Sequence, residues 1–360
     1  MGEKTINVQE SVNEAINSAL KSRGIANILI AGKTGVGKST LINAIFQGRM
    51  AETGQGKPVT QQTRKITKTG VPVAIYDTKG LEIKDYKPIL TELIDFIKKQ
   101  KESEDAQQHI HVAWLCIAEG LRRVEEAELS LVRELSQHVP VIAVITTAVA
   151  DGGFAKEVEK LLPDVRNVVR VNSLPQSLDG GLTIPAHGLD KLVDITMEVI
   201  PEGQKNAFAA AQRIVMSQKV SRARKVVMAA ATGAGGIAAV PIPFSDAIGI
   251  IPIQITMLAG VSACFGLEVT TGFVGTLVSG TFASVAGTMA GRAAVGTLLK
   301  FIPGLGSVAG GAISATVATS ITMAFGEAYI ATLQALLKDD PDKQLSGLEV
   351  AEAFKKKMGG

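Results

Sequence analysis

Residues 32–40 read Gly-Lys-Thr-Gly-Val-Gly-Lys-Ser-Thr and directly follow the short apolar run Ile25–Ala31. They fit the pattern G-x-x-x-x-G-K-[ST], whose fixed positions here are Gly32, Gly37, Lys38 and Ser39. Glycines allow backbone N–H groups to turn inward around a phosphate chain, and the helix that follows adds favourable partial positive charge. The order of strand, glycine-rich loop and helix therefore predicts a phosphate-binding loop in an α/β fold.

The residue types of this loop indicate what each would bind. The Lys38 ammonium can reach the β- and γ-phosphates of a nucleotide, and the Ser39 hydroxyl can bind Mg²⁺. The predicted nucleotide contacts of the loop are Lys33, Thr34, Gly35, Val36, Gly37, Lys38, Ser39 and Thr40.

Two segments downstream fit the same chemistry. Asp77-Thr78-Lys79-Gly80 follows an apolar run, so we expect Asp77 at the Mg²⁺ ion and the Gly80 amide at the γ-phosphate. Between the motifs lies Pro58-Val59-Thr60, and Thr60 is predicted to bind Mg²⁺ and the γ-phosphate in a loop ordered by its ligand. Thr63 is the competing candidate, and a surface threonine without a function is the other alternative.

Apolar runs of strand length alternate with amphipathic helical segments over the first two hundred residues. The predicted strands are 25–31, 64–69, 71–77, 109–117, 139–147 and 165–171. The predicted helices are 38–47, 85–101, 121–138 and 189–200. Gly70 alone separates the second and third strands, which predicts an antiparallel pair. The whole pattern predicts a mostly parallel sheet covered on both faces, with a ligand at the carboxyl ends of the strands.

Charge divides the chain into two parts. The 360 residues carry a formal net charge of +3, which is too small to predict a nucleic-acid partner. The polar N-terminus predicts no secretory signal, and Cys116 and Cys264 lie in apolar runs that predict buried free thiols. Between Val226 and Gly326 the only charged residues are Asp246, Glu268, Arg292 and Lys300. This shift predicts a boundary near residues 200–225, followed by an apolar, glycine-rich helical domain.

The apolar region leaves three interpretations open: membrane spanning, peripheral or conditional membrane association, and a soluble helical domain. Its charge-free spans are each about as long as the roughly 20 residues that cross a bilayer; they are 226–245, 247–267, 269–291 and 301–326. A basic cluster before them is typical of a cytosolic flank facing anionic lipid; it comprises Lys219, Arg222, Arg224 and Lys225. Two features disfavour the membrane-spanning interpretation: the first two spans contain prolines, and the third consists largely of small and polar residues. Close helix packing at Gly304, Gly306 and Gly310-Gly311 suits either solvent.

The order GKTGVGKST, PVT and DTKGLE resembles the Era- and septin-like group of GTPases. More closely, the chain resembles bacterial relatives of the immunity-related GTPases, also through residues 110–130, HGLDKLVDITMEVIPEGQKNAF and VPIPFSDAIGIIPIQ. The resemblance covers most of residues 25–335 and implies a GTPase domain followed by an apolar helical domain. It implies GTP or GDP with Mg²⁺ as ligands, and guanine contacts from Thr146, Thr147, Asn172 and Ser173.

Two positions depart from that group's pattern. Guanine is usually bound by [NT]-K-x-D after the next buried strand, but this strand runs into Thr146-Thr147-Ala148-Val149-Ala150-Asp151, without the lysine and with the aspartate displaced. Leu81 follows Gly80, where many small GTPases have the glutamine that orients the attacking water. We therefore expect slow basal hydrolysis unless a second copy of the chain completes the site. Lys33 is the candidate to stabilise the transition state, in cis or in trans.

The sequence thus predicts a GTPase domain at 23–203, a helical domain at 204–360, and an N-terminal helix at 1–22 that packs on either of them. The predicted catalytic residues are Lys33, Lys38, Thr60 and Gly80. We expect a GTP-hydrolysing switch that couples G-domain dimerisation to association with, or remodelling of, a membrane at its cytoplasmic face. The alternatives are a nucleotide-gated scaffold with little turnover and a ribosome-assembly GTPase. The latter is disfavoured because residues 226–326 contain only two basic side chains.

Overall fold

The computed structural model describes residues 8–48, 50, 57–58, 63–78, 86–177, 179–238, 246–282 and 315–359. The chain forms two compact units. The first is Gly24–Val215, and the second combines Met1–Arg23 with Met216–Gly360.

The first unit is built on a seven-stranded sheet with the order β2-β3-β4-β1-β5-β6-β7. Its strands are β1 (Ala26–Ala31), β2 (Lys57–Pro58), β3 (Thr63–Lys68), β4 (Val71–Thr78), β5 (Val112–Ala118), β6 (Val141–Thr146) and β7 (Asn167–Arg170). A separate hairpin pairs β8 (Gln176–Ser177) with β9 (Thr183–Ile184).

The central strand β1 pairs in parallel with β4 on one side and with β5 on the other, and β6 and β7 continue the parallel order. The pairs β2–β3 and β3–β4 are antiparallel, and Gly70 makes the turn between β3 and β4 at a φ of 84°. The predicted mostly parallel sheet and its antiparallel pair are confirmed. The carboxyl ends of β1, β4, β5 and β6 lie along one edge, where a ligand binds in open α/β sheets.

Helices cover both faces of this sheet. In chain order the helices of the two units are α1 (Val8–Arg23), α2 (Lys38–Ile45), α3 (Lys87–Lys101), α4 (Glu126–Leu135), α5 (Phe154–Leu161), α6 (Leu189–Val199), α7 (Glu202–Ala211), α8 (Met216–Ala238), α9 (Asp246–Cys264), α10 (Thr271–Phe282), α11 (Ala315–Leu336) and α12 (Gly347–Gly359). Side chains of α2, α6 and α7 form the apolar core on one face of the sheet, and those of α3, α4 and α5 form the core on the other.

Two predicted elements begin three or more residues later than the sequence suggested. The predicted strand at 109–117 begins at Val112, because the segment before it is a loop fastened by histidine. The Asn27 backbone N–H donates to Nδ1 of His111, and Nε2 of His111 bonds to the Ala106 carbonyl at 2.9 Å. The predicted helix at 121–138 begins at Glu126, because Glu125 forms a capping box with Glu128.

The boundary between the two compact units lies after Val215, within the range 200–225 that the charge pattern predicts. Helix α7 contributes Ala207, Phe208 and Ala211 to the core beneath the sheet, so it belongs to the first unit. The Arg213 guanidinium donates to the carbonyls of Asn43 and Ala44, which fastens the chain after α7 to helix α2. The first unit therefore extends to Val215.

The second unit is helical, with a core shared by α1 and the helices from α8 onward. The sequence left open where the N-terminal helix packs; α1 contributes Val12, Ala15, Ile16 and Ala19 to this core. Cys264 in this core and Cys116 in β5 are free and buried, as predicted. Burial raises the pKa of the Cys264 thiol to about 11.

Glycines allow the helices of the second unit to approach closely. A Cβ on Gly260 of α9 would lie 2.8 Å from a methyl group of Val226 in α8, and one on Gly326 of α11 would overlap the side chain of Val227. Close packing at small residues is thus a feature of the described helices. The glycines that the sequence singled out for this role, at 304, 306, 310 and 311, lie outside the described residues.

Within the part of the chain that the structure describes, no helix combines the length and apolarity required to cross a bilayer. The predicted basic flank is also wrong for two of its four residues, because Lys219 and Arg222 are buried. The Lys219 ammonium donates to the Phe265 carbonyl at 3.2 Å, and burial lowers its pKa to about 7. Arg224 is exposed but forms an ion pair with Glu327.

Candidate functional site

The loop between β1 and α2 lies at the carboxyl edge of the sheet and depends on its glycines. Three glycines of the loop have positive φ values, which residues with a Cβ rarely adopt. The values are 140° at Gly32, 82° at Gly35 and 94° at Gly37. A Cβ on Gly32 would also collide with the Cys116 carbonyl of the neighbouring β5. Gly37 is the left-handed N-cap residue directly before α2, and the Leu41 N–H donates to its carbonyl at 2.9 Å.

The Lys38 ammonium lies inside this loop. Its Nζ donates to the Gly32 carbonyl at 2.7 Å and to the Lys33 carbonyl at 2.9 Å. Burial raises the pKa of the nearby Cys116 thiol to about 12, and the charges of Lys38 and Asp77 both act on that thiol. Both charged groups are therefore near enough to the buried thiol to influence its ionisation.

The sheet register places Asp77 beside the end of β1. Asp77 pairs with Ile30 in the parallel β1–β4 ladder, one residue before the last residue of β1. Ser39 is in the first turn of α2, directly after the loop. The predicted metal residues Asp77 and Ser39 thus belong to two elements that meet at the same edge. The third, Thr60, lies outside the described residues, as do Gly80 and Leu81.

Lys33 is connected to the start of helix α4. Its ammonium forms an ion pair with the Glu125 carboxylate, whose pKa is lowered chiefly by that contact. The Arg123 guanidinium donates to the same carboxylate at 3.1 Å. Glu128, which completes the capping box, is buried, and burial raises the pKa of its carboxyl group.

Thr146 joins the end of β6 to the phosphate-binding loop. Its hydroxyl is buried and donates to the Val36 carbonyl at 2.6 Å. Thr147 has a φ of 49°, and its hydroxyl donates to the Thr146 carbonyl. Both predicted base contacts therefore lie at the ligand edge, with their hydroxyl groups hydrogen-bonded within the protein.

A buried carboxylate organises residues 147–151, which we call the base loop. Glu119, at the end of β5, accepts hydrogen bonds from the backbone N–H groups of Val149 and Ala150 at 2.6 and 2.7 Å. The Arg170 guanidinium pairs with the same carboxylate at 2.6 Å. Burial alone would raise the pKa of Glu119, but these hydrogen bonds and the arginine hold it below its usual value.

Asp151, which the sequence showed to be displaced from the guanine-binding position, acts as a local cap. Its carboxylate accepts the N–H of Ala155 at 2.9 Å and that of Gly153 at 3.2 Å, and the first of these bonds is the main reason its pKa is lowered. The Arg122 guanidinium donates to the backbone carbonyls of Ala150 and Asp151. The aspartate is therefore engaged at the start of α5.

The predicted last guanine contact, Asn172-Ser173, follows β7. The Asn172 side chain is buried; its amide N–H donates to the Pro185 carbonyl at 2.9 Å, and its oxygen accepts from Gln176 at 2.7 Å. Nε2 of His187 bonds to the Ala148 carbonyl at 3.0 Å, which joins this segment to the base loop. The structure thus brings Thr146, Thr147 and the 172–173 segment to one region.

Sequence reasoning missed the residues that hold the site together, which are Glu119, Arg122, Glu125, Arg170 and His187. One signal was available: Glu119 is the first charged residue after a buried parallel strand, at the edge where ligands bind. The partners of Glu119 are backbone N–H groups and a distant arginine, which no local pattern identifies.

Comparison with known protein families agrees with this geometry. Residues 27–147 match the family model described as 50S ribosome-binding GTPase. Residues 204–355 match a domain of unknown function, DUF697. The chain carries a P-loop GTPase domain followed by a DUF697 domain. The predicted fold class is confirmed, and the GTPase domain implies binding of GTP and GDP.

Short segments of the chain are also similar to parts of much longer plant proteins. Translocase of chloroplast 101, chloroplastic, from Physcomitrium patens is 43% identical over 70 residues, which cover 19% of this chain and 8% of that protein. Translocase of chloroplast 90, chloroplastic, from Arabidopsis thaliana is 35% identical over 85 residues, covering 21% and 11%. The chain therefore aligns with only a small fraction of the length of these relatives. The closer resemblance to immunity-related GTPases stays a prediction.

Proposed function

We propose that the chain is a GTP-binding and GTP-hydrolysing switch, and that its DUF697 domain passes the state of the nucleotide to a membrane. The observation that carries the nucleotide site is the position of Lys38. Its ammonium lies within a loop whose glycines have positive φ, at the edge where β1, β4 and β5 end, and Asp77 lies beside the end of β1 at the same edge. Donors and a cation arranged in this way suit a polyphosphate.

The site residues take the following roles in this proposal. Backbone groups from Lys33 to Thr40 surround the phosphates, and Lys38 neutralises the β- and γ-phosphates. Ser39 and Asp77, whose oxygens are the hard ligands that Mg²⁺ prefers, hold the ion together with Thr60. The Gly80 amide contacts the γ-phosphate, so that Thr60 and Gly80 close on GTP and release after hydrolysis.

Hydrolysis is slow in the isolated chain, according to this proposal, because Leu81 cannot orient a water molecule. A second copy of the chain, paired through the GTPase domain, would bury the site and accelerate the reaction. Lys33 supports this part of the proposal, since it carries a positive charge within the loop that surrounds the phosphates. It would act on the nucleotide of its own chain or on that of the partner.

We propose that the DUF697 domain associates with a membrane by surface contact. No helix among the described residues is long and apolar enough to span one. The features that support this association are apolar side chains in contact with solvent and a basic helix end. Met228 of α8 and Leu348 of α12 are 53% and 54% exposed, and Lys355, Lys356 and Lys357 are exposed at the end of α12. Lysines near an anionic surface contribute about 1 kcal/mol each to binding.

The second candidate is a nucleotide-gated scaffold that recruits protein partners with little turnover. Leu81 favours it, and so does the base loop, where the usual guanine-binding lysine and aspartate are missing. Both candidates require the same nucleotide site and differ in hydrolysis and in its dependence on lipid.

GTP turnover by the purified chain, measured with anionic liposomes, with neutral liposomes and without lipid, distinguishes the two. Stimulation by anionic lipid alone, reduced when Lys355, Lys356 and Lys357 are changed to Gln, supports the switch. An equally slow rate in all three conditions favours the scaffold and contradicts coupling to the membrane.

A further inference from the structure

The carboxylates at the base loop already accept hydrogen bonds from the protein itself. In GTPases of the usual pattern, an aspartate accepts two N–H groups from the edge of guanine, which distinguishes guanine from other purines. Within the part of the chain that the structure describes, the carboxylates that bond to this region are those of Glu119, beside the loop, and of Asp151, in the loop itself. Each accepts two backbone N–H groups of the protein itself, and Arg170 contacts both.

The position that would carry the usual aspartate is occupied by an apolar residue. Counted from Thr146 at the end of β6, the pattern [NT]-K-x-D places its lysine at Thr147 and its aspartate at Val149. Val149 is 36% exposed, and its backbone N–H is held by Glu119. The isopropyl group at this position offers the base an apolar surface and no hydrogen-bond acceptor.

The other polar groups of the region are engaged in the same way. The hydroxyls of Thr146 and Thr147 donate to backbone carbonyls, and the Asn172 amide is engaged through both its nitrogen and its oxygen. Arg122 donates to the carbonyls of Ala150 and Asp151. The base loop is therefore held in one conformation by contacts inside the protein.

We propose that this loop binds a purine base by shape and apolar contact and discriminates only weakly against hypoxanthine, which differs from guanine only in lacking the 2-amino group. The inference rests on the proposed nucleotide site and names its substrate class, which is guanosine and inosine triphosphates together. Glu119 and Arg170 act as positioning residues of the loop. They do not contact the base.

The size of the effect follows from the chemistry of the missing carboxylate. An ionised acceptor that loses one of two N–H donors loses a charge-assisted hydrogen bond, which corresponds to roughly a tenfold to hundredfold change in affinity. A loop without that acceptor does not distinguish the two bases by this means. We therefore expect the dissociation constants for GTP and ITP to differ by less than about fivefold.

The test is equilibrium binding of GTP and ITP to the full chain with Mg²⁺. A second protein, Thr147→Lys with Val149→Asp, introduces the usual pattern, and Thr147→Lys with Val149→Asn is its matched control without the carboxylate. We expect a ratio below about fivefold in the wild type and in the control, rising to about tenfold or more in the aspartate variant.

A wild-type preference for GTP of about tenfold or more would overturn the inference. It would show that the site contains a hydrogen-bond acceptor that recognises the 2-amino group of guanine. The wild-type ratio decides this even if the variants fold poorly. Tight binding of both triphosphates supports the proposed function and the inference together. Strong discrimination with tight GTP binding leaves the proposed function intact, whereas binding of neither triphosphate overturns both.

Discussion

The ammonium of Lys33 in the phosphate-binding loop forms an ion pair with the carboxylate of Glu125, the residue that caps helix α4. One side chain thus serves both as the cap of a helix and as the partner of a cation beside the phosphate site. The side chains of Lys33 and Glu125 are 15% and 36% exposed, so solvent weakens the pair.

The two roles of Glu125 can be separated by substitution. Glu125→Gln keeps an oxygen that accepts the Glu128 N–H but removes the charge, and we expect it to change the free energy of unfolding by less than about 0.5 kcal/mol. Glu125→Ala also removes the cap and should cost about 1 kcal/mol. Urea unfolding of both variants checks this. Equal losses in the two would show that the charge, rather than the cap, stabilises α4.

Lys33→Ala tests the proposed role of that residue in hydrolysis. We expect GTP turnover to fall by roughly a hundredfold if the ammonium stabilises the charge of the transition state. Turnover should be measured at low and at high protein concentration, because an effect that grows with concentration indicates action in trans. Lys99→Ala, an exposed change on α3, is the control. An unchanged rate for Lys33→Ala at high concentration removes Lys33 from the mechanism.

Glu119→Gln should destabilise the chain by on the order of 2 kcal/mol at pH 7, since it removes the charge from a buried, hydrogen-bonded carboxylate. The pKa of Glu119 is lower in the folded protein than its ordinary value of 4.5. The contribution of the ionised Glu119 carboxylate to the free energy of unfolding is therefore fully present above pH 4.5. It is lost as the pH falls through the pKa of the folded state.

The difference in unfolding free energy between wild type and Glu119→Gln should accordingly shrink below about pH 4.5. Urea unfolding of both proteins between pH 7 and pH 4 measures it. Glu159→Gln, at an exposed position of α5, provides the comparison and should show no such trend. A difference that stays constant over this range would contradict the assigned role of the carboxylate.

The close approach of α8 and α9 makes Gly260 sensitive to substitution. Gly260→Ala places a Cβ 2.8 Å from Val226, and we expect a loss of about 1–3 kcal/mol from overpacking. Gly275→Ala in α10 meets nothing within 4 Å and should stabilise by about 0.5–1 kcal/mol, because alanine favours the helix. Thermal unfolding of the two variants compares them directly. A stabilising Gly260→Ala would show that the helices are farther apart than the structure has them.

Much of the GTPase domain could be predicted because its signals are local. The apolar runs, Gly70 and the glycine loop each determine their element within a few residues, so the parallel sheet and the loop at its edge were predicted correctly. The start of β5 was placed too early because His109 and His111 lie in an apolar context. Their rings and backbone instead bond to the loop before the strand and to Asn27.

The residues that hold the candidate site together were not predicted from the sequence, because their hydrogen-bonding partners lie far from them along the chain. Glu119 bonds to Ala150 and Arg170, and Thr146 bonds to Val36 across 110 positions. The prediction of an exposed basic cluster before the apolar helices was partly wrong for a related reason. Charge alone indicated an exposed flank, whereas the second unit buries Lys219 and Arg222 among its helices.

The most direct test of the nucleotide site is binding and hydrolysis of GTP, with Mg²⁺ present, by the wild type and by Lys38→Ala, with Lys99→Ala as the control. We predict that the wild type and the control bind GTP and hydrolyse it slowly. Lys38→Ala should lose binding by about a hundredfold or more, since a charge-assisted contact to phosphate disappears. Tight GTP binding by Lys38→Ala would contradict the assignment of the site.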